Sequence, residues 1–122
     1  MDLETGLAAA KMLVCHGGHG TVMEALLHAC PVIVVPSNPE QLEIGRRIEA
    51  MRLGLLVTEP VETLGPAGLA RLVDRVRGDA LLHRRVGAYA ARLRRHADGA
   101  ARAAAIVLAA AGATLPPSTT AR

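Results

Sequence analysis

Aromatic side chains are nearly absent from this chain: it has no Trp, no Phe and a single Tyr, Tyr89. Single-stranded nucleic acids are held largely by stacking on aromatic rings, so nucleic acid is not an expected partner. The formal charge of +3 does not reverse this. Arginines gather at Arg71, Arg75, Arg77, Arg84, Arg85, Arg92, Arg94, Arg95 and Arg102, and a solvated helix face accounts for them. Long hydrophobic runs are also lacking. The most apolar stretch, Ala103–Ala113, is too short and too rich in alanine to span a bilayer, which takes about 20 apolar residues. There are only two cysteines, Cys15 and Cys30, and Met1 is followed by an acidic, amphipathic stretch rather than an export signal. A reducing cytoplasm is the expected location.

What remains is aliphatic. Hydrophobic residues make up 51% of the chain, much of it alanine, so a core must be built from Leu, Val, Ile and Met. The length of 122 residues suits one domain. Residues 1–112 are expected to form it, and residues 113–122, with Pro116-Pro117 and Ser118-Thr119-Thr120, to be a disordered tail.

The punctuation of the chain is regular. Leu3–Ala10 reads as a short helix. Met12–Cys15, Pro31–Val35 and Leu55–Val57 are apolar runs without polar alternation, the pattern of strands buried on both faces of a parallel sheet. Between them Thr21 opens a helix running to about Ala29, and Ser37-Asn38-Pro39 opens another running to about Leu53, with Gly54 as its stop. Pro60 and Gly65-Pro66 mark a loop. Pro66–Arg77, Asp79–His96 and Gly99–Ala111 then read as helices, separated at Gly78 and at Asp98-Gly99. The expected fold is α/β: a partial Rossmann-like parallel sheet of about three strands, followed by C-terminal helices.

In such a sheet every strand ends on one rim, and ligands bind there. His16–Thr21 follows the first strand and Pro36–Gln41 the second, so both loops face one crevice. The first holds Gly17, Gly18 and Gly20 and leads into a helix. Glycines let backbone N–H groups approach a ligand, and a helix start offers unpaired N–H groups and the positive end of the dipole, a setting suited to phosphate. Glycines after a strand also serve the turn alone, and glycine richness does not separate the two readings. No lysine follows, so the loop is not a P-loop. His16 and Thr21 can each donate to a phosphate oxygen. Thr21 and Glu24 have capping-box spacing, so Glu24 either closes the helix start or accepts from ribose hydroxyls. Asn38, Pro39 and Gln41 suit a helix cap as well as a ligand contact.

Taken together, His16-Gly17-Gly18-His19-Gly20-Thr21-Val22-Met23-Glu24, then Pro31, Pro36 and Glu40-Gln41, resemble the donor-binding signature of the UDP-dependent glycosyltransferases of GT-B architecture, the macrolide and plant natural-product enzymes among them. The resemblance is close over Leu3–Val57. It implies that His16 contacts the diphosphate, that Gly18, Gly20 and Thr21 line the phosphate turn, and that Glu24 holds the ribose. It further implies that Glu40 and Gln41 bind hydroxyls of the transferred sugar, and that His19 is a loop residue. The family often has Asn shortly after the acidic-Gln pair, where this chain has Glu43-Ile44-Gly45. On this resemblance Met1 falls within the donor domain, while upstream strands, the acceptor site and the catalytic base belong to other parts of the family's fold. The expected function is the donor-binding portion of a hexose transferase, inactive alone. The alternatives are a nucleotide-sugar-binding subunit of a split transferase, or an inactive relic. The implied ligand is a nucleotide-diphosphate sugar, used as substrate. No cofactor is implied, and the partner would be a separate N-terminal half or a second copy.

Rival constellations are weaker. Cys15, His16, His19, His28 and Cys30 suggest zinc, but His19 and His28 lie at opposite ends of one helix, roughly 13 Å apart at ~1.5 Å per residue. A Cys15–Cys30 disulfide would have to join opposite rims of the sheet. Ser37 has no histidine and acid in reach for a hydrolase triad. His83 and His96 sit among arginines and read as surface residues. A sugar-nucleotide epimerase of the same architecture is a further, weaker rival.

Overall fold

The computed structural model describes residues 12–110. Three short strands, β1 (Leu13–Cys15), β2 (Val32–Val34) and β3 (Gly54–Leu56), form a parallel sheet in the order β1-β2-β3. The register pairs Val14 with Ile33 and Ile33 with Leu55. Helix α1 (His19–Leu27) connects β1 to β2, and α2 (Pro39–Ala50) connects β2 to β3. The strand–helix–strand–helix–strand unit expected of the three apolar runs is therefore present. Two further helices follow, α3 (Val61–Arg77) and α4 (Ala80–Ala110).

The core is aliphatic throughout. Val32, Ile33 and Val34 of the central strand are fully buried, as an apolar run without alternation requires. Val22, Ala25 and Leu26 of α1, Ile48 of α2, Val76 of α3, and Leu82, Val86 and Ala90 of α4 are buried too. Helix α2 comes close to the sheet at Gly45, where a Cβ would press on Leu56 and Val34. A glycine is therefore needed at this position of α2.

Several boundaries differ from the sequence reading. Helix α1 begins at His19, two residues before Thr21, with Gly18 at its N-cap. His19 is thus the first helical residue rather than a loop residue. Gly54 does not stop α2. It opens β3, where a Cβ would clash with the Val32 carbonyl oxygen, so glycine is required for strand approach. The left-handed residue after α2 is Arg52 (φ 58), and after α1 it is Ala29 (φ 56). Helix α3 is broken at Gly65 (φ 65, ψ 174), and Pro66 restarts it, which keeps the expected Pro66–Arg77 helix and adds one short turn before it. No break occurs at Asp98-Gly99, since α4 runs through both. A single glycine costs a helix only about 1 kcal/mol, too little to end it.

His83 is not a surface residue. It is half-buried, and its Nε2 donates to the Val76 carbonyl at 3.0 Å, closing the end of α3. The chain divides into two compact units after Ala91. The first contains the sheet, and the described part of the second is the remainder of α4. The expected helix at Leu3–Ala10 and the tail at 113–122 lie outside the described residues.

Candidate functional site

The rim at the C-terminal ends of β1 and β2 is built by an exchange of hydrogen-bond partners. Val35 N–H donates to the Cys15 carbonyl at 2.8 Å, extending the ladder past β1. In a parallel ladder of this register the next donor, to the Val35 carbonyl, would be Gly17 N–H. Gly17 instead adopts φ +103, and its N–H turns onto the Cys15 sulfur. The His16 ring fills the gap: Nδ1 lies 3.0 Å from the Val35 carbonyl oxygen. A carbonyl only accepts, so Nδ1 carries the proton. Nε2 of the exposed ring is then an acceptor when the ring is neutral and a donor only when it is protonated.

The glycines divide by role. Gly17 is needed by the fold, because of its positive φ and because a Cβ there would meet Val34 Cγ1 at 2.8 Å and the Gln41 carbonyl at 3.2 Å. That close approach brings the two rim loops together, with the start of the Gln41 side chain against the glycine turn. Gly18 and Gly20 are different. Neither has a positive φ, and a Cβ at either would meet nothing within 4 Å. The turn alone does not call for glycine at these two positions.

The helix starts differ as well. In α1 the first bond onto the N-cap carbonyl is Val22 N–H to Gly18 at 3.0 Å, and no side chain caps the end. The N–H groups of His19, Gly20 and Thr21 therefore precede the helical ladder uncapped. In α2, Asn38 Oδ1 accepts from Gln41 N–H at 2.8 Å and Pro39 takes the first helical position. The expected cap at Asn38 is present. The expected Thr21–Glu24 capping box is not, because Thr21 lies inside the first turn of α1 rather than at its cap.

Glu24 is thereby released from any capping duty. Its half-exposed carboxylate leans toward His28, 4.0 Å from Nδ1, while that nitrogen donates to the Glu24 backbone carbonyl at 2.9 Å. An ion contact of that length holds a side chain weakly. This carboxylate–histidine pair, one helical turn apart, was missed in the sequence because His28 was weighed only as a metal ligand. Glu40 is exposed in the first turn of α2. Gln41 is half-buried, and its Oε1 accepts from Ser37 N–H at 2.7 Å and from Ser37 Oγ at 2.8 Å. The sequence reads Ser37 as part of a helix start and as a nucleophile without partners, and its contact with Gln41 is an addition from the structure.

Burial pushes the Cys15 thiol up from its usual range, against a smaller opposing effect of the Gly17 N–H, and burial also raises Cys30. Both are free thiols. Among the described residues no three His, Cys, Asp or Glu side chains are placed to hold a metal, and no helix is long and apolar enough to cross a membrane. A separate apolar cavity of about 460 Å³ lies between Val35 and the kinked start of α3, lined by Val61, Leu64, Pro66 and Leu69 among others. It includes none of the rim residues His16–Thr21.

Comparison with known proteins gives concordant results. The sequence profile of the glycosyltransferase family 28 C-terminal domain matches residues 2–78. Demethyllactenocin mycarosyltransferase of Streptomyces fradiae is 39% identical over 75 residues, covering 58% of this chain and 16% of that protein. Zeaxanthin glucosyltransferase of Pseudescherichia vulneris is 33% identical over 107 residues, covering 88% of this chain and 25% of that protein. The crystal structure of the glycotransferase of kitacinnamycin superposes with a TM-score of 0.72 at 23% identity, over 79% of this chain and 24% of that one. The fold is thus shared with that structure, and the chain spans a quarter or less of the length of these relatives.

Proposed function

The chain belongs to the glycosyltransferase family 28 C-terminal domain family, and from that premise we propose that its rim binds the nucleotide-diphosphate sugar from which a hexose is transferred to an acceptor hydroxyl. The observation that carries this reading is the contrast between the two helix starts. Helix α2 is closed by Asn38, whereas α1 is left open behind Gly18 and Gly20, whose missing side chains serve no need of the fold.

Each residue then has a role. The N–H groups of His19, Gly20 and Thr21 and the dipole of α1 face the diphosphate, and Gly18 and Gly20 leave it room to approach. Thr21 adds its hydroxyl. His16 turns its Nε2 outward toward the diphosphate, its ring held in place by the Val35 carbonyl. Glu24, further along the same helix and only weakly held by His28, accepts from ribose hydroxyls. Glu40 and Gln41, on the neighbouring helix start, contact hydroxyls of the sugar.

The chemistry is in-line attack of an acceptor hydroxyl on the anomeric carbon. The bond to the diphosphate breaks as the new glycosidic bond forms, and the acceptor proton passes to a base. This chain's residues stabilise the negative charge that builds on the departing diphosphate. Acceptor binding and the base are assigned to another part of the enzyme, so the chain by itself is expected to transfer no sugar. Calorimetry with UDP, dTDP and GDP and their sugars tests the donor reading. Saturable binding of at least one nucleotide diphosphate supports it, and no binding of any of them to the folded chain sinks it.

A further inference from the structure

The start of α2 carries more hydrogen bonding than its cap requires. Asn38 Oδ1 already satisfies Gln41 N–H, and Pro39 has no N–H to satisfy. Even so, the Gln41 side chain folds back, and its Oε1 takes hydrogen bonds from both the N–H and the hydroxyl of Ser37, at 2.7 and 2.8 Å. Because a backbone N–H can only donate, the atom facing Ser37 must be the oxygen. Two donors occupy its two lone pairs. The amide nitrogen, with two N–H groups to give, has no partner among the described residues. Gln41 also packs its Cβ beside Gly17, next to the turn that leads into α1. Its neighbour Glu40 is exposed and, when ionised, can only accept.

We propose that Ser37 is a positioning residue, whose N–H and hydroxyl lock the Gln41 carboxamide so that the crevice meets a hydrogen-bond donor there. The sugar-contacting pair then consists of one acceptor, Glu40, and one donor, Gln41. It selects a sugar with two hydroxyls in reach, one donating and one accepting. This rests on the donor-site reading above. An unlocked carboxamide turns over about its last side-chain torsion and presents oxygen as readily as nitrogen. Oxygen beside the Glu40 carboxylate would set two acceptors together and lose the complementary pair.

The test uses the full chain, with UDP and UDP-glucose as calorimetric probes. The parent should bind UDP-glucose more tightly than UDP. Ser37→Ala should weaken UDP-glucose about 5- to 10-fold, the scale of one net hydrogen bond, with UDP unchanged, and Ser37→Thr should restore it. Gln41→Glu keeps an acceptor toward Ser37 and so should melt like the parent, but it turns the outward donor into an acceptor and should lose the whole gain from the sugar. Further support comes from NMR relaxation of the Gln41 side-chain amide, which should be more ordered in the parent than in Ser37→Ala, where the backbone N–H of residue 37 is the one donor left to Oε1. The proposal is overturned if Gln41→Glu binds UDP-glucose like the parent, if Ser37→Ala weakens both ligands equally, or if the amide is as ordered without the hydroxyl as with it. A parent that binds UDP but gains nothing from the sugar overturns this proposal alone. A parent that binds neither ligand overturns the donor-site reading and this proposal with it.

Discussion

At the scale of single residues, His16 has a constraint that its place in the sequence did not reveal. With Nδ1 committed to the Val35 carbonyl, only the protonated ring can donate to a phosphate through Nε2. In His16→Ala the affinity for UDP-glucose should drop by about 1–3 kcal/mol, a hydrogen bond to a charged group. Calorimetry checks this, and unchanged affinity in His16→Ala contradicts the role of the ring. Glu24 gives a second residue-level expectation. Since it caps nothing, Glu24→Gln should leave the melting temperature unchanged while weakening UDP more than inorganic pyrophosphate. Equal losses for both ligands would remove the ribose contact from the account. The loop that carries His16 was legible in the sequence, because glycines between an apolar run and a helix mark a turn. The hydrogen-bond partners of His16 and Gln41 were not legible. The Val35 carbonyl and Ser37 are brought to His16 and Gln41 by strand register and by a helix start, neither of which spacing alone specifies.

At the scale of elements, the helix ends were the least readable part of the chain. Thr21 and Glu24 imitate a capping box, yet the chain already turns helical at His19, since Gly18 can serve as N-cap without a side chain. Gly54 imitates a helix stop, yet the fold spends it on close strand contact and leaves Arg52 to take the left-handed position. These misreadings lead to stability predictions. Ala29→Gly and Arg52→Gly should each stabilise the fold by about 0.5–1 kcal/mol, because an L side chain is disfavoured at positive φ. Gly54→Ala should destabilise it severely. Gly20→Ala should raise the melting temperature, since alanine favours a helix by up to about 1 kcal/mol over glycine, and should weaken UDP by placing a methyl group near the open N–H groups. Thermal denaturation paired with calorimetry reads both effects, and unchanged UDP affinity in Gly20→Ala would return that glycine to a purely local role. The three strands, by contrast, were plain from their continuous apolar runs, which only burial on both faces explains.

For the molecule as a whole, the two outer strands are not equivalent. The outward N–H of Leu56 in β3 is met by the Glu49 carboxylate at 3.3 Å. On β1, Val14 is 39% exposed. An exposed aliphatic side chain on an outer strand favours association. Light scattering should show self-association of the chain, reduced in Val14→Lys, and a monodisperse parent would contradict this. The scarcity of aromatic residues carries through to the core, where Ile33 is among the largest fully buried side chains. Ile33→Ala should therefore cost about 2–5 kcal/mol. The account as a whole turns on where a nucleotide diphosphate sits. Titration of the 15N-labelled chain with UDP, followed by amide NMR, addresses this directly. The predicted result is that the N–H signals of His19, Gly20 and Thr21 shift most, with the capped start of α2 moving less. Largest shifts at Val61–Leu69, around the apolar cavity, or no saturable shifts at all, would contradict the assignment of the rim as the donor site.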